Sequence, residues 1–308
     1  MLALIVAGSL PMPKFIILDD RAILAVGGPD RRQFLQGLVS NDVEKLAPDR
    51  ALYAALLTAQ GKYLHDFTMV DAGEAIWLDC EAARLADLQR RLSMYRLRAK
   101  VTVDEAAGLA VGALFGHDAS AALGLPEEPG AARPLEGGIV LVDPRLSALG
   151  ARVVMERERL ADLAGGRDAG APLFTQAEFA EYDRLRLSLG VPDGSRDLVI
   201  DKSILLESGF DELHGVDWQK GCYVGQELTA RTKYRGLIKK RLFPVKIDGP
   251  TPPPGTVLQA AGREAGEMRS SRDGVGLALL RLESVGQPLS AEAATLSPQK
   301  PDWMKVPE

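Results

Sequence analysis

Short runs of strand-forming residues crowd this chain up to residue 115, at 15–18, 22–26, 52–57, 63–70, 75–79, 101–103 and 109–115. They are apolar or alternating, as sheet strands are. Helical patterns interrupt them. Pro29-Asp30 opens one that carries Phe34, Leu35 and Leu38 on a single face, and residues 81–95 place Leu85, Leu88, Leu92 and Tyr95 at helical spacing. Thr175 and Glu178 read as a capping box for another, which runs through Tyr182, Leu185 and Leu189 until Gly190 stops it, with Pro192 beyond. Strands and helices mixed without a βαβ rhythm predict an α+β fold rather than a doubly wound one. After Leu242 the texture changes: 243–247 alternates, 250–255 is a proline-rich turn, and 256–259, 267–269 and 275–280 are short strand-like runs. That pattern predicts a small C-terminal β-barrel. The expected division is an α+β domain of two subdomains at 12–240, a barrel at 241–290 and a poorly ordered, proline-bearing tail at 291–308, with loops at 126–137 and 165–172.

Composition removes several function classes. A net charge of −5 gives no global drive toward nucleic acid or an anionic membrane, and only 6% of residues are aromatic. No run of about 18 apolar residues offers a membrane span. Neither a G-x-G-x-x-G nor a Walker sequence occurs, which removes the usual nucleotide readings. His65, His117 and His214 stand apart, so no metal site is expected. The two cysteines, Cys80 and Cys222, lie 142 positions apart and form neither a disulfide framework nor a zinc signature; a reducing compartment fits them. The first ten residues are apolar but lack a basic leader. They read as a strand or a start-site artefact rather than an export signal, with Met12 as an alternative start to Met1.

The sharpest local feature is residues 220–227, Lys-Gly-Cys-Tyr-Val-Gly-Gln-Glu. Cys222 sits between two glycines and beside a lysine and a glutamate. Seven basic residues (Lys220, Arg231, Lys233, Arg235, Lys239, Lys240 and Arg241) face one acid, Glu227, between positions 220 and 241. A solvated strand face is the plain reading of such a run; an anion-meeting surface is the functional one. If those cations face Cys222 they lower its pKa. A thiolate there could attack an electrophile, exchange with a disulfide or transiently ligate iron. Cys80, beside Asp79 in a strand-like run, reads as a small buried hydrophobe.

Residues 220–227 match the K-G-C-Y-x-G-Q-E signature of the YgfZ family of folate-binding proteins, and the likeness continues through Gly236. Residues 34–43 resemble that family's N-terminal helix and Asn-Asp turn, 53–66 (with Gln60-Gly61-Lys62) its second landmark, 205–210 the stretch before the cysteine loop, and 274–281 the end of its barrel. The resemblance implies a fold similar to the aminomethyltransferase T-protein of the glycine cleavage system: a ring-like arrangement of ferredoxin-like folate-binding subdomains with a C-terminal β-barrel. It also implies tetrahydrofolate, or a one-carbon derivative of it, as ligand, a role in iron–sulfur cluster assembly or repair, and a place in the mitochondrial matrix for eukaryotic members or the cytoplasm for bacterial ones, the cytoplasm being the expectation for this chain.

A reduced folate wants a carboxylate for its pterin edge, an aromatic or apolar slot for its rings and cations for its glutamate tail. Glu207 is the first candidate for the pterin carboxylate. Asp66 is the candidate at the folate nitrogens; strand alternation puts it on one face with Leu64, and His65 with Phe67 on the other. T-protein relatives carry two adjacent aspartates near this point, where this chain has His65-Asp66, so aminomethyl transfer is in doubt. Asp42 is a candidate cavity lining, Tyr223 a ring to stack on a flat ligand, and Arg231, with Lys233 and Arg235, cations for the folate tail or an acidic partner surface. Lys220 either aids the Cys222 thiolate or pairs with Glu227. The leading expectation is a tetrahydrofolate-binding accessory protein for iron–sulfur assembly or repair, acting through Cys222 with assembly or client proteins as partners. The alternatives are a folate-dependent aminomethyl or one-carbon transferase, using Asp66, and a non-catalytic module that docks an acidic partner on the basic run.

Overall fold

The computed structural model describes residues 12–165, 174–236 and 238–306. The expectations for the first ten residues and, apart from Gly165, for the loop at 165–172 lie outside them. The early runs become two antiparallel sheets. One has five strands in the order Leu52–Leu57, Tyr63–Asp71, Ala75–Glu81, Arg21–Gly27 and Thr102–Glu105. The other has six, in the order Thr175–Gln176, Lys14–Ile17, Leu109–Phe115, Ala151–Glu156, Gly138–Val142 and Ala132–Leu135; its one parallel pairing joins Lys14–Ile17 to Thr175–Gln176.

Apolar side chains of both sheets meet in one layer that includes Ile23, Val70, Val111, Phe115 and Val154. The far face of the five-stranded sheet is covered by helices Arg31–Gln36 and Leu85–Tyr95, through Phe34, Leu35, Leu85, Leu88 and Leu92. Phe34, Leu35 and Leu38 do share that core, as their spacing predicts.

The third unit is a closed barrel of six strands: Lys240–Asp248, Val275–Arg281, Arg263–Arg272, Val257–Ala260, Leu289–Ala291 and Ala294–Pro298. The expected boundary at 290 is therefore too early. Ala294–Pro298 closes the barrel by pairing Leu296 with Ile247 and Pro298 with Val245, and Met304 is buried in the barrel core. A proline at the end of a strand forfeits one amide donor and leaves the rest of the ladder intact, so the prolines do not mark a tail here.

Three further readings change. Residues 126–137, expected as a loop, contain the edge strand Ala132–Leu135. Thr175 is a strand residue, and the helix after it is Phe179–Ser188, whose Glu181 carboxylate accepts the Glu178 amide at 3.2 Å; the box sits three residues later than its first sequence match. A bulge falls between the pairs Leu56–His65 and Leu57–Tyr63. One extra residue there shifts the pleat, so Leu64 packs in the helix-covered core with Phe67 rather than beside Asp66.

The two sheets and the barrel are joined by buried ion pairs. Asp79 accepts Arg21 Nε at 2.7 Å and also pairs with Arg152 from the other sheet; Arg152 holds Asp143 at 2.9 Å, and Asp143 holds Arg145 at 2.8 Å. Helix Phe179–Ser188 continues the network. Arg186 pairs with Asp183 and Asp197 and donates to Ser270 of the barrel at 2.8 Å, and Arg272 reaches Asp183 at 2.6 Å. Burial opposes ionisation of Asp143, but Arg145 and Arg152 outweigh it and hold its carboxyl below the ordinary carboxylate range. Asp79 is likewise held low, by Arg21 and Arg152. The space left between Arg21, Arg145, Arg152, Arg186 and Asp193 is about 10 Å³, room for roughly one water.

Candidate functional site at the cysteine loop

The sequence landmarks at 36–43, 58–62 and 220–227 converge on one place. Val224 N–H donates to Gly37 O at 3.1 Å and Asp217 N–H to Ser40 O at 3.1 Å. Ser40 Oγ donates to Gly215 O at 2.5 Å and accepts the Ala55 amide at 2.8 Å. Asn41 donates from Nδ2 to the carbonyls of Tyr53 and His214, both at 2.7 Å. The Asn-Asp turn thus ties the cysteine loop to the strand Leu52–Leu57.

Lys220 is the staple of the loop. It is buried, and its three ammonium protons go to the carbonyls of Gln36, Val39 and Asn41 at 2.9, 2.6 and 2.7 Å. Its Nζ also lies 4.9 Å from the centre of the Tyr223 ring. Burial pulls the ammonium down to about 8, against Asp42 and Asp217, which favour its charge. With every donor committed, Lys220 neither pairs with Glu227 nor donates to the Cys222 thiol. Tyr223 is buried in a core shared with Tyr63, Leu205 and Phe210; its ring packs there, with Lys220 on it.

Two glycines fix the far end of the loop. Gly225 has φ +83°, and a Cβ added to it would stand 2.4 Å from Thr58 O and 3.0 Å from Gly61 Cα. Gly61 has φ +78°, and its Cβ would meet Leu228 Cβ at 2.6 Å and Gly225 O at 2.7 Å. Both positions need the left-handed conformation and the missing side chain. Gly221 is different: a Cβ there meets nothing within 4 Å. Cys222 beside it is exposed and has no hydrogen bond or ion pair among the described residues. Cys80, by contrast, is buried, its thiol donates to Ala22 O at 3.5 Å, and burial pushes it up to about 12.

In the basic run after the loop, Arg231 and Lys233 lie on a helix, Gln226–Tyr234, whereas Lys240 and Arg241 open the barrel strand Lys240–Asp248. Arg231 pairs with Glu227 one turn back on its exposed side, and Lys233 pairs with Asp211 while lying 4.3 Å from the centre of the Trp218 ring. Neither reaches Cys222.

Most of the residues expected around folate already have protein partners. Asp66 is buried, and its two oxygens accept the hydroxyls of Tyr53 at 2.8 Å and Tyr63 at 2.7 Å. Burial pushes its carboxyl up, against Arg21 and the two hydroxyls. Asp42 caps its own turn through the Glu44 amide and accepts Gln36 Nε2 at 2.7 Å. Arg231 and Tyr223 are committed as above. Glu207 alone keeps a carboxylate without a hydrogen bond among the described residues; burial raises its pKa while Lys240 and Lys62 oppose. His65 faces away from Asp66 and meets Asp87 at 2.9 Å. Burial, aided by Arg84, pulls it down to about 4, so it exchanges no proton near neutrality. A pterin needs a free carboxylate beside a slot for its rings; here the carboxylate at Asp66 is closed by tyrosines and the space between the sheets is filled by guanidinium groups. Asp42, Asp66, Tyr223 and Arg231 as they stand do not fit a folate site, and Glu207 alone offers a carboxylate without a hydrogen bond among the described residues. The Tyr53–Tyr63 closure escaped sequence reading because Tyr63 precedes Asp66 by three residues on one strand, which strict alternation puts on opposite faces until the bulge is known.

The fold matches the crystal structure of glycine cleavage system aminomethyltransferase T from Bartonella henselae, with a TM-score of 0.78 over 96% of this chain and 87% of that one, at 17% identity. That likeness concerns the fold alone. Residues 239–306 match the family described as CAF17, C-terminal beta-barrel domain. The chain is thus an α+β protein of aminomethyltransferase fold closed by a CAF17-type barrel. Among curated proteins it is 37% identical to the human "Iron-sulfur cluster assembly factor IBA57, mitochondrial" over 93% of this chain and 84% of that protein. It is 35% identical to the mouse protein of that name, over the same shares, and 30% identical to the Mycosarcoma maydis homolog, over 88% of this chain and 74% of that one. The chain belongs to the IBA57 family. The expected cytoplasmic location is overturned by these relatives, all named mitochondrial. Two unpaired cysteines report a reducing environment and not which compartment supplies it.

Proposed function

We propose that this chain is an accessory factor in iron–sulfur cluster assembly and that the Cys222 thiol is the group that touches the cluster. The observation that carries the reading is the state of that thiol: exposed and unpartnered, on a loop whose backbone is pinned by Lys220 and by the Gly61–Gly225 contact. The names of the relatives supply the cargo. Once its proton is lost, a thiolate is a soft ligand for iron. One thiolate cannot hold a cluster, and no group of three or more His, Cys, Asp or Glu able to hold a metal exists among the described residues. The remaining ligands therefore come from another protein, and this chain assists a transfer rather than storing the cluster.

The YgfZ-type likeness enters this reading through the cysteine octapeptide. Folate carries no step in it, and neither does one-carbon transfer, because Asp66 is closed by Tyr53 and Tyr63. Cells lacking the protein should recover iron–sulfur enzyme activity with the wild-type chain and not with Cys222→Ser expressed at equal level; full recovery with the serine variant ends the thiol reading. Calorimetric titration of the folded chain with tetrahydrofolate should give no saturable heat. A saturable signal lost in Glu207→Gln would restore the ligand.

A further inference from the structure

Helix Leu85–Tyr95 runs into a corner that the cysteine loop does not use. Between Leu88 and Val103 the chain has no acidic residue and five basic ones, Arg90, Arg91, Arg96, Arg98 and Lys100, although its net charge is −5. Arg90 and Arg91 are held by Asp87. The side chains of Arg96, Arg98 and Lys100 have no ion pair or hydrogen bond among the described residues. Among these cations stand Met94, Tyr95 and Leu97, exposed by 66%, 43% and 91%. Leu97 has φ +42°, a left-handed conformation that non-glycine residues rarely adopt. The corner flanks a cleft of about 210 Å³ walled by Leu56, Leu57, Ala59, Leu64, Met94 and Tyr95. Thr58, also in that wall, belongs to the turn that meets Gly225, so the cleft and the cysteine loop lie on two sides of one turn.

We infer that this corner is a docking surface for a partner protein with an acidic face and a projecting apolar side chain. The cleft accepts a side chain, which a protein offers and a bilayer does not. The unpaired cations Arg96 and Arg98, which follow directly on Tyr95 of its wall, complement acidic groups and repel basic ones. A second copy of this chain is a poor occupant, because a twofold contact would set the same cationic segment against itself. A flexible methionine in the wall lets the cleft adapt to the incoming group. The inference stands on this corner alone and does not depend on the Cys222 thiol.

A photo-crosslinking amino acid placed at position 97 of the full chain tests it in cells, with position 257, an exposed valine of the barrel, as control. The expected adduct is to an acidic surface segment of another protein, identified by mass spectrometry and about tenfold stronger than at 257. Charge reversal by Arg96→Glu with Arg98→Glu should reduce it about tenfold or more, at unchanged thermal melting, whereas Cys222→Ser should leave it intact. An adduct to lipid, to a second copy of the chain or to nothing overturns the proposal, as does an adduct indifferent to the charge reversal. Flotation of the purified chain with anionic phospholipid vesicles gives a second reading: no association is expected, and association lost in Leu97→Ser would reassign the corner to a membrane.

Discussion

Asp66 and Cys222 mark two regions that treat polar groups in opposite ways. At Asp66 every oxygen has a partner, and beyond it guanidinium and carboxylate groups from two sheets and a helix saturate one another. At Cys222 the backbone is pinned as firmly, but the side chain is left to solvent. Saturated buried charge sets the relative placement of structural units, at a desolvation cost that tolerates no missing partner. A side chain left open on a fixed loop costs the fold little and is available for chemistry. The difference teaches where to look for activity: in this chain the charged interior is scaffold, and the exposed thiol is the group with nothing structural to do.

The contrast can be broken most severely at Asp79. Asp79→Ala leaves Arg21 and Arg152 buried without their shared carboxylate, and urea denaturation should show a loss of about 3–5 kcal/mol. A loss under 1 kcal/mol would mean that the ion pairs are not the joint between the sheets. His65 sharpens the comparison through pH. Folded, it gives up its proton near pH 4, while an unperturbed histidine does so near 6.5. Between those values the unfolded chain binds more protons, so stability falls as pH drops through that window, by up to about 3 kcal/mol for this group. His65→Gln should flatten that slope in melting curves recorded between pH 7 and 4. Lys220→Met strips a donor from three carbonyls and should cost about 1–3 kcal/mol, with faster amide exchange confined to the loops at 36–41 and 217–225. Cys222→Ser, at the open end of the comparison, should leave stability within about 0.5 kcal/mol while iron–sulfur enzyme activity is lost in cells.

Much of the architecture is local in origin and was legible for that reason. Phe34 and Leu35 declare a helix face by spacing alone, with Leu38 reaching the same core from just past the helix end, and the runs at 52–57 and 109–115 become strands with those bounds. Gly61 and Gly225 could be singled out as backbone requirements, but not as partners of each other, because no local pattern reports that two turns 164 positions apart touch. The same holds for the Arg21–Asp79–Arg152 chain, whose members look like surface charges until three strands are assembled. The bulge at Leu64 defeated strict alternation: one inserted residue reverses every inside-outside assignment beyond it. Lys220 misled in another way. Its closeness in sequence to Cys222 suggested thiolate activation, whereas the backbone turns the two side chains apart, one into carbonyls and the other into water.

The meeting of Gly61 with Gly225 has a bearing on descent. Each glycine leaves just enough space for the other's main chain, so a methyl group gained at either cannot be accommodated by trimming the opposite position, which has nothing left to trim. Compensation would require both turns to be rebuilt together, a change no single codon provides. A lineage that keeps the thiol loop in this form should therefore keep both residues, and the pair would serve as a two-point fingerprint for picking genuine kin from proteins that share only the octapeptide.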